Sequence, residues 1–159
     1  MMKNLFYTGL KAHSSSRLEF LTISLRKGSG IDLEACFERL NARIVGKRRK
    51  GIIQYAGVLV GEPPQHAHII WKKPYVRWTE LNEIWVDITG DKDSHIVCKT
   101  IRGDKSKVAP MRYMVTYIIN QTTHHEDHPP VFLIRSPKWA IPDKRQDKKQ
   151  KKLRVQNER

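Results

Sequence analysis

At 159 residues, 39% of them apolar and 29% charged, the chain can form one folded domain with a real core. A formal net charge of +14 and a pI near 10.0 point to a polyanionic partner, nucleic acid before an acidic membrane. No apolar run reaches membrane-spanning length, no GxxxxGKS/T phosphate loop occurs, and the two cysteines lack CxxC spacing; a membrane span, a P-loop ATPase and a zinc knuckle are thereby excluded.

Residues 1–17 hold no apolar stretch long enough for a signal peptide, so a cytoplasmic protein is expected. The first strand is expected over 18–25, LEFLTISL, closed by Gly28-Ser29-Gly30. Leu33, Cys36, Phe37, Leu40 and Ile44 at helical spacing predict a helix over 32–45, with Asp32 as N-cap. It runs into the basic group Lys47, Arg48, Arg49 and Lys50. IIQYAGVLV over 52–60 reads as a central strand, and Pro63-Pro64 force a connection after it. HAHIIW over 66–71 is the next strand, and the tight connection makes the two an antiparallel hairpin. A second helix is predicted over 79–88, with Leu81, Ile84, Trp85 and Ile88 on one face and Gly90 as its stop. A strand over 96–101, a helix over 110–121 opened by Pro110, and a short strand over 131–134 complete the domain.

Residues 143–159 carry eight Lys/Arg against three Asp/Glu and almost no apolar side chains, which predicts a basic disordered tail. That tail supplies +5 of the +14 and leaves +9 on residues 1–142, so the domain is basic in its own right. Cys36 and Cys98 sit in apolar-patterned segments and read as small core residues.

Two features carry chemistry. His66 and His68 flank one small residue on a strand, so both imidazoles point to one side and can meet one divalent cation at roughly 2.1 Å. Alone, such a pair also suits a half-exposed sheet face. Tyr113 and Tyr117 lie four apart on the predicted 110–121 helix and share a face, either as interfacial packing or as nucleophiles. Trp71, Tyr75 and Trp78, interleaved with Lys72, Lys73 and Arg77, suit either base stacking beside phosphates or partial burial. Residues 122–128, TTHHEDH, read as a polar loop, with a secondary metal site as the alternative.

Read together, FLTISL, GEPPQHAHIIW, LNEIWVDITG and MRYMVTYIIN resemble the motifs of the HUH endonucleases, and among them the rolling-circle replication initiators of microviruses and small plasmids. The resemblance covers most of residues 18–121. It implies an α/β fold of ferredoxin/RRM-like type, a central antiparallel sheet with helices mainly on one face. It also implies that His66 and His68, with Glu62 first and Gln65 second as further ligand, hold Mg²⁺ or Mn²⁺. The cation would bind a non-bridging oxygen of the scissile phosphate while Tyr117 or Tyr113 attacks, leaving a 5′-phosphotyrosine and a free 3′-OH.

The expected partners are single-stranded or origin DNA, a host helicase and a polymerase. Expected DNA contacts are Arg112, Lys72, Lys73, Arg77, Lys47, Arg48, Arg49 and Lys50. One departure concerns the tyrosine motif. Thr116 and Asn120 stand where relatives keep lysines, and Arg112, Lys99, Arg102, Lys105 and Lys107 are the candidates to compensate. Two rivals remain: a single-strand transposase of the same superfamily, against which the paired tyrosines and the Trp85 segment argue, and a noncatalytic nucleic-acid-binding protein.

Overall fold

A computed structural model describes residues 17–48, 53–61, 65–101, 131–137 and 139. Five strands form one antiparallel sheet: β1 (Leu18–Ser24), β2 (Gln54–Val60), β3 (His66–Lys72), β4 (His95–Ile101) and β5 (Val131–Arg135). Their spatial order is β4-β1-β3-β2-β5, so the histidine strand β3 is the middle one. The helices α1 (Leu33–Arg48) and α2 (Trp78–Thr89) complete the described elements. This is the α/β architecture with a central antiparallel sheet that the sequence leads one to expect. The predicted 110–121 helix, the 122–128 loop, the domain end at 142 and the 143–159 tail lie outside the described residues.

Both described helices pack on one face of the sheet. Leu33, Cys36, Phe37, Leu40 and Ile44 of α1, and Leu81, Ile84 and Trp85 of α2, form one buried cluster with Leu21, Ile23, Leu59, Ala67, Ile69, Trp71, Ile96 and Ile134. The apolar periodicity of each helix is thus its core stripe. Asp32 caps α1 as expected: its Oδ1 accepts from the N–H of Glu34 at 2.9 Å and of Ala35 at 3.4 Å. Gly90 closes α2 at φ 65°, a left-handed position that favours glycine, and its N–H bonds Val86 O at 2.8 Å. Across the solvent side the helices are joined by the ion pairs Arg43–Asp87 and, at 3.4 Å, Lys47–Glu80.

One glycine is required by close approach. A Cβ on Gly57 would run into His68 O and come within 2.8 Å of Ile69 Cα, so only glycine lets β2 lie this close to β3 at the histidine. The far edge is pinned by Ser136, whose N–H donates to Tyr55 O at 2.9 Å while its Oγ accepts from Tyr55 N at 3.0 Å.

Candidate functional site

The pairing register sorts every strand side chain to one of two faces. Glu19, Leu21 and Ile23, with Ala67, Ile69 and Trp71, turn toward the helices. His66, His68, Ile70 and Lys72 turn the other way, in rows with Thr22 and Ser24 of β1 and Val58 and Val60 of β2. The histidine pair therefore occupies the face that α1 and α2 leave alone. His66 and His68 share it, as the HxH spacing predicts, with ring centroids 5.6 Å apart and planes 75° apart.

His68 is held from two sides. Thr22 Oγ1 lies 3.2 Å from its Nδ1, and the Phe20 ring stacks parallel to it at 5.9 Å. With Nδ1–H donated to the hydroxyl, the Nε2 lone pair is the one presented to a cation. Burial first, and His66 beside it second, hold His68 below the ordinary imidazole range, which keeps the ring neutral near pH 7. A cation about 2.1 Å from each ligating nitrogen sits roughly 3 Å from each ring centre, so two ligand rings can stand up to roughly 6 Å apart. The observed spacing fits within that limit.

Further ligands are a separate matter. Among the described residues no three His, Cys, Asp or Glu side chains cluster as a metal site. Glu62 lies outside the described residues. Gln65, the other candidate, is on the helix side: its Oε1 accepts from Leu33 N at 3.2 Å and so closes the start of α1. That is a correction with a simple cause. Gln65 is one residue from His66, and one residue on a strand reverses the face.

The expected DNA contacts divide sharply. Lys72 shares the histidine face, four residues along β3 from His68. Lys73 does not serve: its side chain is 2% exposed, 2.6 Å from Glu19 Oε2, with its ammonium 5.2 Å from the Trp71 ring centre. It neutralises a buried carboxylate rather than a phosphate. Arg77 is exposed just ahead of α2, and Lys47 is exposed near the end of α1 in its bridge to Glu80. Arg48 ends α1. Arg49, Lys50, Arg112, Tyr113 and Tyr117 lie outside the described residues. Of the aromatic group, Trp71 is fully buried in the core, whereas Tyr75 and Trp78 are 61% and 57% exposed. Arg17 lies over the Tyr75 ring at 5.3 Å.

Period-2 counting along β1 could have found Thr22 and Phe20, but only the register shows that Thr22 stands opposite His68. Around Glu19 the sheet also half-buries Cys98, whose Sγ donates to Glu19 Oε2 at 3.3 Å. Burial, then the Glu19 charge, push that thiol up to about 12.

No family model matches the chain, and no curated protein matches it. In fold it is similar to the crystal structure of the hypothetical protein ORF119 from Sulfolobus islandicus rod-shaped virus 1, at 13% identity and a TM-score of 0.49 over 72% of this chain and 91% of that one. A likeness at that level carries no argument about function. No described helix is long and apolar enough to cross a membrane.

Proposed function

We propose that the chain is a metal-assisted DNA-nicking and strand-joining enzyme that initiates rolling-circle replication in a host cytoplasm. The observation that carries the reading is the His66–His68 pair on one face of the middle strand, with rings 5.6 Å apart and the Thr22 hydroxyl 3.2 Å from His68 Nδ1. The two imidazoles would hold Mg²⁺ or Mn²⁺, which supplies charge stabilisation to a phosphate in transfer. The phenol of Tyr117 or Tyr113 gives up its proton to solvent as its oxygen forms the new bond to phosphorus, the bond to the 3′-oxygen breaks, and that oxygen leaves as a 3′-OH after taking a proton from solvent. For this, the tyrosine segment must reach the sheet face away from α1 and α2. The free 3′-OH would then serve a host polymerase, and a host helicase would open the duplex.

A second reading has its own support. No Asp or Glu occupies a described strand position on the histidine face, as suits a surface that binds a polyanion without cutting it. Incubation with mixed single-stranded oligonucleotides and Mn²⁺ separates the two. A covalent protein–DNA adduct on a denaturing gel, lost in His66→Ala and His68→Ala, is expected of the enzyme. Tight binding with no adduct is expected of the binder.

A further inference from the structure

The histidine face is not uniform. On the β2 side its side chains are shut in: Ala56 and Val58 are fully buried and Val60 is 1% exposed. On the β4 side it is open from His95 to Lys99, where His95, Val97 and Lys99 are all exposed, and it closes again at the buried Ile101 and Leu18. The pairing places them in register with Ser24, Thr22 and Phe20, and Thr22 stands opposite His68. The histidine pair therefore borders an open shelf formed by one side of β4 and β1.

The chemistry of that shelf is one-sided. The described strand positions of the whole face carry His66, His68, His95, Lys72, Lys99 and Arg135 and no carboxylate. The single acidic residue in the sheet, Glu19, faces the helices and is held by Lys73. At the His95 end, Asp91 and Asp93 are bridged by Arg26 at 3.4 and 3.8 Å. The opposite end of β1 and β3 leads to the exposed Tyr75 ring under Arg17. His95 to Lys99 spans roughly 13 Å at strand spacing, room for a short run of nucleotides.

We infer that a single nucleic-acid strand lies along this β4–β1 shelf, with Lys99 and His95 on its phosphates, and that the shelf delivers the strand to the histidine pair. The choice of occupant rests on charge complementarity: a polyanion fits a carboxylate-free shelf, and a flexible single strand can follow an edge strand of a sheet. The inference rests on the proposed reading of the histidine pair as a nucleic-acid-processing site.

The test is binding of a labelled mixed-sequence single-stranded oligonucleotide to the full chain, by fluorescence anisotropy with chelator present, so that no cleavage step enters. Lys99→Glu should weaken binding about tenfold and lower the salt slope by roughly 0.7 for the lost phosphate contact. Arg39→Glu, the same charge change on exposed α1, should stay within about twofold. Photo-crosslinking from a halogenated base should label the β4 peptide. Equal weakening by Lys99→Glu and Arg39→Glu, or crosslinks confined to other peptides, overturns the shelf. So does a preference for duplex over single strand. Adduct formation with Mn²⁺ is scored separately. An adduct with no Lys99 effect sinks the shelf and leaves the enzyme standing. A Lys99 effect with no adduct does the reverse.

Discussion

Thr22 Oγ1 and His68 Nδ1 stand 3.2 Å apart across the β1–β3 pairing, so the hydroxyl engages the central histidine through Nδ1. Removing the hydroxyl while keeping the shape frees the ring to take its other tautomer. Thr22→Val should therefore lower Mn²⁺ affinity about tenfold, the low end of the effect seen when the hydrogen-bond partner of a ligating histidine is lost. Thr22→Ser should restore it. Titration calorimetry gives the affinities, and ¹⁵N shifts of the imidazole report the tautomer. Unchanged shifts in Thr22→Val would remove Thr22 from this role.

Gly57 lies against the His68 peptide with no room for a Cβ. Adding one methyl group in Gly57→Ala forces β2 away from β3, at a cost of about 1–3 kcal/mol for overpacking. Urea denaturation measures it. The same change should loosen His68 and weaken metal binding, because β2 is the strand paired along the histidine strand β3, with Val58 opposite His68.

Lys72 lies on the histidine face, and its neighbour Lys73 is held by Glu19. Lys73→Ala leaves Glu19 buried without its cation, and should destabilise the fold by about 3 kcal/mol with little change in the salt slope of DNA binding. Lys72→Ala should lower that slope. Paired denaturation and salt-titration series would show whether the two phenotypes separate in this way.

Cys98 should be inert to alkylation in the folded protein near pH 8, since its thiol is pushed up to about 12, and should react on unfolding. The sign of the linked effect follows. Above the ordinary thiol value of 9.0 the unfolded chain loses this proton while the folded chain keeps it, so stability falls as pH rises from there toward 12. Cys98→Ala should flatten that fall, as followed by thermal unfolding over the alkaline range.

Periodicity made most of the scaffold readable. The α1 stripe from Leu33 to Ile44, the Asp32 cap, the Gly90 stop and all five described strands follow from spacing that burial imposes. The HxH spacing likewise placed both histidines on one face. Non-local relations were not readable. The pairing of Thr22 with His68 depends on strand register, and the burial of Lys73 depends on a carboxylate 54 positions away in the chain. Gln65 was misjudged because a polar residue beside a site looks the same in sequence whichever face it takes. Trp71 and Trp78 show the same limit, since one is core and the other is surface within a single aromatic-basic run.

The central claim is that the histidine pair supports transfer of a phosphate to a tyrosine. Peptide mapping of the covalent adduct, formed with single-stranded oligonucleotides and Mn²⁺, tests it most directly. The account predicts that the nucleotide is carried on Tyr117 in the first cut, that Tyr117→Phe loses most of the adduct while Tyr113→Phe keeps it, and that His68→Ala and the double tyrosine variant form none. An adduct that persists in the double variant, or one formed equally well by His68→Ala, would contradict it.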